Sequence, residues 1–121
     1  VQDFIQNKVN KGMKREYFDH FYVAGFTYNE GTIVFSELEI GTPLKLEVEP
    51  VNPHDSGAVA IYYNEHKIGY IPSDSNYSFS KLLKCGQNPF DVRVMSVDKK
   101  ATASEAIGVV VYVVDVTDKQ K

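Results

Sequence analysis

Leu44-Lys45-Leu46-Glu47-Val48-Glu49 runs into Pro50-Val51-Asn52-Pro53-His54-Asp55-Ser56-Gly57, and then into Ala58-Val59-Ala60-Ile61-Tyr62-Tyr63. The first six residues alternate apolar with charged side chains, the period of a strand with one wet face. Two prolines then remove backbone donors and Gly57 closes a turn, so the strand cannot continue. Residues 58–63 and 67–71 flank Asn64-Glu65-His66 and read as a hairpin, which Pro72 ends. Strand, rigid polar loop and hairpin therefore follow one another within thirty residues.

Upstream, Ile5, Val9, Met13 and Tyr17 recur every four residues, which predicts one helix face over residues 2–18, or a frayed leader, interrupted by Gly12. Residues 20–28 are aromatic and β-rich and predict a strand through Tyr28, closed by Asn29-Glu30-Gly31. Residues 32–40 read as a helical turn or irregular connector before Gly41-Thr42-Pro43 breaks the chain. Downstream, Ser73 or Asp74 is expected to cap a helix running to about Lys84, with Gly86 as its stop. Lys81 and Lys84 would form its solvated face. Residues 90–97 and 107–116 predict two more strands joined by a polar loop. The reading is mainly β: a small OB-like or SH3-like barrel of about six strands, with one helix after the fourth. It divides into a leader (1–18), the barrel domain (19–117) and a tail (118–121).

Composition is that of a globular domain, 43% hydrophobic and 24% charged, enough to form one core without disulfides or metals. The single cysteine, Cys85, points to a reducing compartment, and a cytoplasmic location is expected. No apolar run reaches the roughly 20 residues of a membrane helix. The first residues are polar and lack the apolar core of a signal peptide. A chain opening on Val1 reads as trimmed, or as a piece of something longer. Net charge is −3, and residues 21–70 hold seven acids against two bases, Lys45 and Lys67. That is no basic stripe for gripping duplex phosphates.

The ordered set Val23-Ala24-Gly25-Phe26-Thr27-Tyr28, Leu44-Lys45-Leu46-Glu47-Val48-Glu49-Pro50, Asn52-Pro53-His54-Asp55, Ala58-Val59 and Ile68-Gly69-Tyr70-Ile71-Pro72 resembles the HIRAN family over about residues 20–115. The resemblance implies a modified OB-like barrel that binds single-stranded DNA at a free 3′ end. It assigns base stacking to Tyr28 and contact with the terminal hydroxyl to Asp55, with Asn52 and Pro53 shaping the loop. His54 stands where a second aromatic is expected. Thr27 replaces a base, and Pro72 and Ser73 stand where the family has lysines. Tyr70, also in the matching motifs, joins the site, while Lys67 and Arg93 are the candidate phosphate contacts.

Beside this stands the plain chemistry of the residues. Every base has a π-face, so an exposed tyrosine can stack on any of them. His54 can charge near neutral pH and meet a phosphate. Aspartate before Ser56-Gly57 is expected to make an Asx turn whatever else it does. His20, His54 and His66 lack metal-ligand spacing, and neither a nucleophile elbow nor a phosphate-cradling loop is present. A non-enzymatic module without metal or cofactor is expected. The alternative function is a protein-docking barrel within a larger assembly, suggested by the acidic middle region.

Overall fold

The structure, a computed structural model, describes residues 14–115. Six antiparallel strands form one sheet in the order β1-β6-β5-β2-β3-β4, with β1 at Arg15–Tyr22, β2 at Pro43–Val48, β3 at Val59–Tyr63, β4 at His66–Tyr70, β5 at Phe90–Val97 and β6 at Ile107–Val114. Two helices interrupt them: α1, Gly31–Val34, before β2, and α2, Tyr77–Lys84, after β4. The mainly β barrel with its helix after the fourth strand is thus present.

β1 and β4 lie at opposite ends of the strand order, yet the chain just after β1 meets β4. Ala24 and Tyr70 exchange both backbone hydrogen bonds, at 2.9 and 2.8 Å, and this single bridge curls the sheet into a barrel. Gly69 permits the approach. A Cβ there would lie 2.4 Å from both the Ala24 carbonyl oxygen and Val23 Cγ1, at a φ of +154°. Inside the barrel, Val59, Ile61, Ile68, Val109 and Val111 are fully buried. α2 plugs one side with Phe79, whose ring packs on Phe18, Phe21 and Phe90.

Two expectations need correction. Residues 15–18 are strand, not helix; residues 1–13, where the rest of that helix would lie, fall outside the described residues. The four-residue spacing ended on Tyr17 by coincidence. A register shift between Tyr17 and Asp19 turns Phe18 inward along with Phe21, and β6 supplies the hydrogen bonds. The strand expected through Tyr28 stops at Tyr22. Gly25, in the left-handed region at φ 71°, redirects the chain into a 3₁₀ turn, Phe26–Tyr28.

α2 also starts later than expected, at Tyr77, after a turn in which the Ser75 N–H donates to the Pro72 carbonyl at 2.8 Å. Lys84 is not merely solvated; its ammonium donates to the Ser56 carbonyl at 2.9 Å.

Barrel closure makes a direct expectation. Gly69→Ala should lower unfolding free energy by at least about 2 kcal/mol, read by urea denaturation. A change within about 0.5 kcal/mol, the range of a neutral surface substitution, would show that the bridge tolerates a side chain.

Candidate functional site

Three segments meet around the β3–β4 edge. The first is the 3₁₀ turn. Its root is Gly25, whose carbonyl accepts from the Tyr28 backbone N–H at 3.1 Å and from Asn29 Nδ2 at 2.7 Å. Phe26 anchors the turn in the core while Tyr28 stands 91% exposed. The Glu30 N–H donates to the Lys67 carbonyl at 2.8 Å, tying the turn to β4. Tyr28, Asn29, Glu30, Tyr62, Glu65 and Lys67 line an open hollow of about 500 Å³.

The second segment is the loop after β2, held by its own side chains and by both ends of α2. Asn52 Oδ1 accepts from the backbone N–H groups of His54 (2.8 Å) and Asp55 (3.2 Å). Asp55 Oδ1 accepts from the Gly57 N–H at 2.8 Å, the expected Asx turn, and Oδ2 accepts from Asn76 Nδ2 at 2.9 Å. With Lys84 on the Ser56 carbonyl, both ends of α2 grip this loop. His54 sits exposed between the fixed residues.

The third segment is β4. Lys67 and Tyr70 are three residues apart and would face opposite sides of a regular strand. A register shift leaves Ile68 without an opposing residue, so Lys67 pairs with Tyr62 while Tyr70 pairs with Ala60. Both side chains therefore reach the outer face, where Glu49 receives them. Its carboxylate accepts from Lys67 at 2.6 Å, Tyr70 OH at 2.9 Å and Asn52 Nδ2 at 3.0 Å. Lys67 also donates to Tyr70 OH at 3.2 Å.

The structure thus brings Asn52, Lys67 and Tyr70 into one network. Lys67 extends it to the Tyr28 hollow, and Asn52 to the loop of His54 and Asp55. His54 and Asp55 are not among the residues lining the hollow itself. Arg93 belongs elsewhere: on β5 it donates to Asp91 and the Gly41 carbonyl. The hub, Glu49, went unrecognised as a site residue, as did Asn76. Glu49 stands in the Leu44–Pro50 motif, but alternation alone marks it only as another wet-face acid. Asn76 carries no sequence signal of its own beyond lying just after the expected caps Ser73 and Asp74. Among the described residues no group of three or more His, Cys, Asp or Glu could hold a metal ion. Nor is any described helix long and apolar enough to cross a membrane.

The barrel thus presents an exposed aromatic turn and a fixed polar loop, linked to each other through the Glu49 network. A family model for the HIRAN domain matches residues 19–114. The chain belongs to the HIRAN family, whose domains are nucleic-acid-binding modules. A protein of Lactobacillus plantarum, known from its crystal structure, is similar in fold, with a TM-score of 0.70 at 22% identity over 83% of this chain and 95% of that one. The HIRAN domain of human HLTF aligns with a TM-score of 0.58 at 15% identity, over 88% of this chain and 85% of that one. No curated protein sequence matches.

Partial burial alone would raise the Glu49 carboxyl, but hydrogen bonds from Lys67, Asn52 and Tyr70 outweigh it and hold it below its ordinary 4.5. The hydrogen bond to Glu49 lifts Lys67 above its ordinary 10.5, against partial burial. A depressed carboxyl stabilises the fold above 4.5 and loses that contribution as pH falls through its folded value. A raised ammonium stabilises below 10.5 and loses its contribution only as pH rises through its own. The stability gap between wild type and Glu49→Gln should therefore be flat from about pH 6 to 9 and shrink below 4.5. A gap that widens on acidification would contradict the network.

Proposed function

We propose that the domain binds the free 3′ end of single-stranded DNA, as a cytoplasmic, non-catalytic accessory to DNA processing or repair. The terminal base stacks on Tyr28 in the hollow, His54 approaches from the loop, and Asp55 accepts from the terminal hydroxyl. The observation that carries this reading is Tyr28 itself. Its ring, 91% exposed, contributes nothing to the core, while its backbone is fixed by the hydrogen bond to the Gly25 carbonyl. A backbone turn already fixed lowers the ordering cost of stacking by the residue it carries.

The Glu49 network links the loop, through Asn52, to Lys67 on the rim of the hollow. Tyr70, bonded to Glu49, has ring carbon Cδ2 4.0 Å from where a Cβ added to Gly25, the root of the Tyr28 turn, would lie. Charge favours an end over an internal stretch of strand. Glu30 and Glu65 line the hollow, and its one lysine is already paired with Glu49. Such a rim repels a run of phosphates and tolerates a hydroxyl terminus. Lys67 holds three donors, two of them engaged, so any phosphate it meets shares it with Glu49.

Fluorescence anisotropy with 3′-hydroxyl and 3′-phosphate oligonucleotides tests this. The hydroxyl form should bind about tenfold or more tightly, and Tyr28→Ala should cost about 1–3 kcal/mol of stacking with no loss of thermal stability. Equal binding of the two ends would rule out end recognition. The same two glutamates would also suit a basic peptide. A lysine-rich peptide that binds where oligonucleotides do not would select protein docking instead.

A further inference from the structure

The sequence has two arginines, Arg15 and Arg93, and the barrel brings them together on the outer face of β1, β6 and β5. Register explains the meeting. Arg15 lies opposite Val114 and Tyr17 opposite Tyr112 on one side of β6, with Asp91 opposite Tyr112 and Arg93 opposite Val110 on the other. Arg15 Nη1 donates to Asp91 Oδ2 at 2.6 Å and Arg93 Nε to Asp91 Oδ1 at 2.9 Å. Arg93 Nη1 also reaches the Gly41 carbonyl at 3.2 Å, and the Arg15 guanidinium lies 4.1 Å from the centroid of the Tyr112 ring.

One carboxylate therefore aligns two guanidiniums without cancelling them. Burial opposes ionisation of Asp91, but hydrogen bonds from Arg93 and Arg15 hold it below the usual carboxylate range, so the trio keeps a net positive charge. The arginine side chains remain 44% and 40% exposed, and each fork has five N–H donors, more than its contacts consume. They border a groove of about 510 Å³ that also includes Ile40, 76% exposed, and Met95. It shares no lining residue with the Tyr28 hollow. In a chain of net charge −3, paired arginine forks beside an apolar shelf suit a phosphate attached to a flat apolar group.

We propose that this groove is a second nucleic-acid contact, in which Arg15 and Arg93 hold a backbone phosphate of a single strand while Ile40 and Met95 support its base. The inference rests on the end-binding reading for the presence of a strand on the barrel. It supplies a phosphate contact that Thr27, Pro72 and Ser73 do not.

With two arginines in the chain, the side-chain Nε–H signals of ¹⁵N-labelled protein report on the groove directly. The probe is an oligothymidylate about eight nucleotides long, within the span of one such barrel. Both arginine signals should shift along one saturation curve. Arg93→Gln should flatten the dependence of log affinity on log salt by about 0.7, one phosphate's share for a single strand, with Tyr28 still perturbed. Shifts confined to the Tyr28 turn would overturn the groove and leave end binding intact, whereas no shift anywhere would overturn both. A polyglutamate peptide that moves the arginine signals when the oligonucleotide does not would reassign the groove to acidic peptides and overturn the proposal.

Discussion

Closure of the barrel at Ala24 and Tyr70 is the constraint on which the rest of the molecule depends. The two hydrogen bonds there join β4 to the chain just after β1, the strand at the opposite edge of the sheet, and they form only because Gly69 has no side chain to strike the Ala24 carbonyl. An unclosed sheet would expose the β4 edge and uncover a core filled by valine, isoleucine and phenylalanine. Closure also sets the site. The same few residues of β4 include Lys67 and Tyr70, and the chain that reaches across to them continues directly into the turn bearing Tyr28. One backbone contact thus stabilises the fold and places an aromatic beside a polar network.

Glu49 is the second organising element. A part-buried carboxylate accepting from an ammonium, a phenol and a carboxamide is satisfied on several sides, and each donor comes from a different feature: strand, strand end and loop. The loop beyond is fixed twice more, by Asn76 and by Lys84 from α2. The Asn52 and Asp55 side chains are therefore committed to structure, with the His54 side chain left at the surface. Binding to so rigid a loop loses little entropy on contact. With Lys67 already neutralised, selectivity at the hollow comes from shape and stacking more than from charge.

Much of this was legible in the residues, and where it was not the cause is local. Alternation along Leu44-Lys45-Leu46-Glu47-Val48 marked β2, and residues 90–97 were read at the bounds that β5 has. Pattern reading failed where a strand bulges or a glycine turns. Phe18 and Phe21, and again Lys67 and Tyr70, share a face only because a register shift lies between them, and nothing in a period of two reveals that. Gly25 lay inside an aromatic run and was read through as strand, though its left-handed conformation is what lifts Tyr28 into solvent. Lys67 and Arg93 are expected on one barrel face, but they stand on β4 and β5, which the sheet order separates.

Photo-crosslinking with a single-stranded oligonucleotide bearing 5-iodouracil at its 3′ terminus puts the central claim to its most direct test. The account requires the adduct to map to Tyr28, and the yield to collapse when the same base is moved to the 5′ terminus. Equal yields from both termini, or adducts mapping away from both the Phe26–Tyr28 turn and the loop of residues 52–55, would contradict it.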